Sequence, residues 1–210
     1  MSNLTLIIGN RTQSSWSLRG WLALAHSGLP YRTLSLDLFS TDFKQQALQY
    51  SPAGKVPVLL VGETPIWDSL AIGEYLAEQV PELWPQDPLV RARARSLCAD
   101  MHSSFQALRQ QMPMDLSRED LGVPMTSELA ADITRISKMW EDERRLAAEN
   151  GPWLFGRWSI ADAFYAPVAT RFRSYGVLLG ELAADYQMTL LTDPALQAWV
   201  AAAASERRPS

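Results

Sequence analysis

The chain has 210 residues, 47% of them hydrophobic, with 19 basic against 23 acidic side chains, a net charge of −4 and a sequence pI of about 5.2. That size and apolar content suffice for a sizeable core in one or two domains, and the acidic balance excludes the basic footprint of a general nucleic-acid binder. The single cysteine, Cys98, excludes an intrachain disulfide and a Cys-x-x-Cys redox pair, and neither His26 nor His102 has a partner at metal-binding spacing, so no metal site is expected. No apolar run reaches the length of a membrane span and the N-terminus lacks a signal pattern, so no membrane association and a cytoplasmic protein are the expectation.

Residues 4–8 read as a first strand. Ser14 and Ser15 supply N-cap chemistry for an apolar-rich helix that stops at Gly28-Leu29-Pro30. Residues 31–36 alternate as a second strand, and 42–49 form a short helix. Pro52 and Gly54 then break the chain ahead of Val56 to Val61, a nearly continuous apolar run suited to a strand buried on both faces. Gly62-Glu63 makes a tight reversal into a strand over 64–67, and Asp68-Ser69 opens another helix. This order, strand–helix–strand–helix–strand–strand–helix, predicts a compact α/β unit of the thioredoxin-like kind over residues 1–80.

Pro81, Pro85 and Pro88 crowd into a linker, and the remainder, 89–210, is predicted to be all-helical. One long helix is expected over 89–111, a second over 126–149, a third over 159–174, a fourth over 178–190 and a last from about 193. The tail, 207–210, is expected to fray. Ser159-Ile160-Ala161-Asp162 is a capping-box pattern, which assigns Asp162 a folding role and no catalytic one.

Chemistry concentrates in the first half. Pro57 has no N–H for a ladder, so the backbone of Val56 is available to an extended peptide laid alongside it. The helix start at Asp68-Ser69 offers N–H groups and a hydroxyl to a carboxylate. Gly54-Lys55-Val56-Pro57 followed by Asp68-Ser69-Leu70-Ala71-Ile72 resembles the glutathione-binding half of the soluble glutathione transferase family. The resemblance implies a cis proline at Pro57, the cysteinyl backbone of glutathione paired with Val56, and the γ-glutamyl end held by Asp68 and Ser69. Lys55 would sit near the glycyl carboxylate. It also implies a homodimer, with glutathione as co-substrate.

Ser14-Ser15-Trp16-Ser17-Leu18-Arg19 is similar to the Ser-Ser-Cys-x-Trp-Arg stretch of zeta-class transferases, the class that includes maleylacetoacetate isomerase, with Trp16 in place of the cysteine and Leu18 in place of the tryptophan. No histidine accompanies these serines locally, so a hydrolase-type nucleophile is not indicated. A hydroxyl at a helix start can instead donate to a thiolate, and Ser14 or Ser15 is the expected donor. Arg19 is expected to pair with an acid. A pocket for an electrophile is expected beside the 89–111 helix, lined by Trp16, Met101, Ser104 and Phe105, residues whose spacing suits a core equally well. Three functions compete: a serine-type transferase acting on a small electrophile, a glutathione-dependent cis–trans isomerase of the maleylacetoacetate type, and a non-catalytic binding protein with the same fold.

Overall fold

A computed structural model describes residues 4–119 and 121–206; the tail expected to fray lies outside them. Four strands, β1 (Leu4–Ile8), β2 (Tyr31–Ser35), β3 (Val58–Val61) and β4 (Thr64–Ile66), form one sheet in the order β2-β1-β3-β4. β1 runs parallel to β2 and antiparallel to β3, which is antiparallel to β4. Helices α1 (Ser15–Ser27), α2 (Phe43–Leu48) and α3 (Ser69–Gln79) belong to this half. They are followed by α4 (Pro88–Ser103), α5 (Gln106–Gln111), α6 (Ser127–Ala147), α7 (Ile160–Ser174), α8 (Glu181–Leu191) and α9 (Pro194–Ala204). The architecture is a thioredoxin-like domain followed by a helical one.

The run of β1, apolar except for Thr5, follows from cover on both faces. Leu4, Leu6 and Ile8 join the main core with Leu18, Leu22 and Leu76, while Ile7 packs on the opposite face with Val58, Leu36 and Ala47. α1 lies between α3 and α7 and so belongs to both halves. Trp21 meets Trp199 of α9 with ring centroids 5.2 Å apart, and His26 stacks on Trp158 at 3.9 Å while contacting Asp193 at 3.0 Å.

α7 is the centre of the helical half and is buried on nearly every side. Its capping box is formed: the Asp162 carboxylate accepts from the N–H of Ser159 at 2.7 Å and of Leu154 at 3.1 Å, and from the Tyr186 hydroxyl at 2.9 Å. The helix expected over 89–111 is two helices. Ser104 ends α4, and Phe105 takes a left-handed backbone (φ 64) before α5 begins. The Arg109 guanidinium folds back on the break, donating to the carbonyls of Ser104 and Met101.

The pairing register fixes where function can sit. Ile7 pairs with Val58 at the C-terminal end of β1 and the N-terminal end of β3, and Leu59 pairs with Ile66 at the C-terminal end of β4. The loop after β1, the segment before β3 and the turn into α3 therefore meet at one end of the sheet. β2, parallel to β1, brings its own outgoing loop there, where the Leu38 N–H donates to the Asn10 side chain at 2.7 Å.

Candidate active site at the sheet end

Each of the three converging segments contributes a different group. The segment before β3 turns at Gly54, whose φ of +55 favours glycine and on which Lys44 packs so closely that a Cβ would meet its Nζ at 2.8 Å. The Val56-Pro57 bond is cis, and the ladder starts only at Val58, so Val56 stands outside the sheet pairing. Lys55 is exposed. The turn into α3 presents Asp68 as N-cap, its Oδ1 accepting from Leu70 N–H at 3.0 Å. Its other oxygen lies 3.1 Å from His102 Nε2 of α4. Ser69 is buried, and its hydroxyl has no hydrogen-bond partner among the described residues.

The loop after β1 delivers the serines. Ser14 caps α1, accepting from Ser17 N–H at 3.4 Å, with Ser14 Oγ and Ser17 Oγ 2.7 Å apart and Ser17 Oγ accepting from Gly9 N–H at 3.0 Å. Ser15 accepts from Arg171 Nη2 at 3.2 Å. Arg171 also donates to Met112 O at 2.8 Å and Pro167 O at 3.3 Å, and burial, reinforced by Arg109, lowers its pKa to about 10. Both serines are only 6% exposed, and the hydrogen bonds their hydroxyls make are buried, so each is held within the fold.

Arg19 departs from expectation. It is fully buried but pairs with no acid: none of its three side-chain nitrogens has a hydrogen-bond partner among the described residues. Its guanidinium lies against the rings of Trp16 (4.5 Å) and Phe164 (4.8 Å), a cation–π arrangement, and burial followed by the nearby Arg109 and Arg171 pushes its pKa down. Arg109 also lies over Trp16, at 4.9 Å. Three guanidinium groups therefore raise the positive potential around the start of α1.

The expected pocket residues lie elsewhere. Met101 and Phe105 are core residues and Ser104 caps α4, its carbonyl accepting from the Arg109 guanidinium. Trp16 is half-buried among the arginines and His102. A cavity of about 680 Å³ opens instead between the loop after β1 (Thr12, Gln13), Phe39, the segment at Leu116 and Arg118, and α9 at Val200. Arg171, Arg109 and His102 were missed by sequence reasoning. His102 and Arg109 flank Phe105 at helical spacing and interrupt an apolar stripe, the one signal that could have marked them; Arg171 carried none.

A thioredoxin-type sheet joined to an all-helical half, with helix starts and a cis proline gathered at one sheet end, is the architecture of glutathione transferases. The chain belongs to the glutathione S-transferase family. Residues 13–79 match the model of its N-terminal domain and residues 91–202 that of its C-terminal domain. Among curated relatives, the chain is 36% identical to a probable maleylacetoacetate isomerase of Caenorhabditis elegans over 55% of either chain, about half the relative's length. It is 31% identical to the maleylacetoacetate isomerase of Pseudomonas aeruginosa, over 80% of this chain and 81% of that one. Among solved structures, a zeta-class maleyl pyruvate isomerase superposes with a TM-score of 0.75 at 24% identity, covering 97% of this chain and all of the other, a likeness of fold.

Proposed function

We propose that the protein is a glutathione S-transferase that holds glutathione at this sheet end and stabilises its thiolate through a serine hydroxyl, Ser14 in the first place. The observation that carries the reading is the convergence of three segments, each with a group suited to one part of the tripeptide. The Val56 backbone suits the cysteinyl unit, Ser69 and the start of α3 the γ-glutamyl carboxylate, and Ser14 with the start of α1 the sulfur. Asp68 suits the γ-glutamyl amine and Lys55 the glycyl end. The cavity beside Thr12 and Gln13 is where a small electrophile would meet the sulfur, whose attack forms a sulfur–carbon bond as the leaving group departs. A cytoplasmic homodimer completes the reading, on the family resemblance alone.

Magnitudes support thiol activation. Lowering a thiol pKa from about 8.5 by two units takes roughly 2.7 kcal/mol of preferential thiolate stabilisation. A hydrogen bond to a charged group contributes roughly 1.5–3 kcal/mol and a helix start about 0.3–1 kcal/mol, before the guanidinium groups are considered. The test is a titration of reduced glutathione with the thiolate absorbance followed against pH. A bound midpoint near 6.5 is expected, about two units below the free thiol; a midpoint at the free-thiol value would reject activation.

Ser69→Ala should weaken glutathione binding about tenfold, since a buried hydroxyl without a partner is a donor awaiting an acceptor. An unaltered dissociation constant by calorimetry would remove Ser69 from the site.

A dicarboxylate isomerase is a second reading, favoured by the names of the relatives. Such a substrate needs cationic groups facing it. Arg109 is occupied by main-chain carbonyls and Arg171 by carbonyls and Ser15, which leaves Arg118, in the wall of the cavity, as the cation that could face it. Turnover of a maleylacetoacetate-like substrate distinguishes the two.

A further inference from the structure

We propose that Ser17 is a positioning residue that aims the hydroxyl hydrogen of Ser14 outward, at the sulfur of the bound thiol. The inference rests on the reading of Ser14 as the thiol-activating group and adds a residue that touches neither reactant, since Ser17 is 0% exposed. Only one hydrogen can lie between two oxygens 2.7 Å apart. If Ser14 supplied it, Ser17 would accept twice, from Ser14 and from Gly9 N–H, and its own hydrogen would be left without an acceptor in a sealed site. If Ser17 supplies it, both functions of Ser17 are used. With a thiol bound in front of Ser14 to accept its hydrogen, orphaning the Ser17 donor disfavours the first arrangement by roughly 10- to 100-fold.

The second arrangement has a consequence for Ser14. Its oxygen then accepts from the Ser17 hydroxyl and from Ser17 N–H, and its hydrogen has no direction left but away from the helix. The first donor of the chain is pinned as well, because a Cβ on Gly9 would meet the Leu38 side chain at 2.7 Å. Gly9 N–H, Ser17 and Ser14 thus form a one-way relay of hydrogen bonds, each polarising the next, that ends on the sulfur. No proton moves along it: the thiol proton leaves to solvent and Ser14 stays neutral. Ser15, which accepts from Arg171 alone, has no such relay behind it.

The test compares Ser17→Ala, Ser17→Thr and Ser14→Ala in the full chain, using reduced glutathione for the thiolate titration and S-methylglutathione, which cannot ionise, for affinity. Ser17→Ala should raise the bound-thiol midpoint by about one unit, leaving about tenfold less thiolate at pH 6. Conjugation should fall about threefold there, because a more basic thiolate is a better nucleophile. The thiolate fractions of the two proteins should converge above about pH 9, where Ser17→Ala should conjugate up to about threefold faster than the parent. S-methylglutathione should bind within about twofold of the parent, and Ser17→Thr should restore the midpoint. An unmoved midpoint in Ser17→Ala, with a raised one in Ser14→Ala, would overturn the relay and leave the serine reading standing. An unmoved midpoint in both would overturn the serine reading itself. Should Ser17→Ala fail to fold, Ser17→Cys, similar in size and a weak donor, carries the same expectation and the same refutation.

Discussion

Replacing Asp162 with alanine is expected to destabilise the protein by about 3–5 kcal/mol, measurable as a lowered denaturation midpoint. The carboxylate is completely buried and satisfies two backbone N–H groups and the Tyr186 hydroxyl, while lying 3.2 Å from the Ser159 hydroxyl. Alanine would leave these donors unpaired at the start of the most deeply buried helix. A loss under about 1 kcal/mol, the range of an exposed cap, would show that water reaches the site.

The same residue makes a pH prediction. Burial raises the Asp162 pKa to about 6 from an ordinary 3.8, outweighing the hydrogen bonds that lower it. The folded state therefore binds this proton more tightly than the unfolded state. The associated stability is complete below about pH 4 and is lost as pH rises through about 6, for a total of about 3 kcal/mol. Asp162→Asn removes the titration, so the parent's advantage over that variant should shrink between pH 4 and 7. An advantage that grows over that interval would show that the donors outweigh burial.

Ser14→Ala is expected to lower conjugation by about ten- to a hundredfold at about pH 5, below both thiol midpoints, while leaving folding and glutathione affinity at that pH nearly unchanged. The lower bound is the loss of a two-unit pKa depression, which removes about a hundredfold of thiolate but returns about tenfold in intrinsic nucleophilicity. The upper bound adds the loss of sulfur orientation. Activity at the parent's level, with a loss in Ser15→Ala instead, would transfer the role to the serine held by Arg171.

The elements that carry a local cause were legible in the sequence. β1 and β3 announced themselves by apolar runs, α1 and α3 by Ser14 and Asp68 at their starts, and α7 by its capping box. The division between α4 and α5 was not legible, since neither glycine nor proline marks it. Its causes are tertiary: a buried Phe105, Arg109 folded onto the carbonyls, and Leu108 N–H donating to Asp132 of α6 at 3.0 Å. Val56, Pro57, Asp68 and Ser69 were readable as a group because they flank one hairpin and resemble a family motif, whereas their convergence at the sheet end is seen in the strand order. Arg171 was not, because it reaches Ser15 across 156 residues and from a helix that reads as plain core.

The turn that follows α9 is joined to the first loop. Arg11 donates through its backbone and side chain to Glu206, 195 residues away, and its carbonyl accepts from the Trp199 indole at 3.0 Å. The loop so fastened runs directly into Ser14. Shortening α9, or pulling on it through an appended tag, would slacken that tether and let the serine wander. Rate would then depend on a helix whose Val200 also walls the cavity proposed for the electrophile, and the loop after β1 and the end of α9 would behave mechanically as one part.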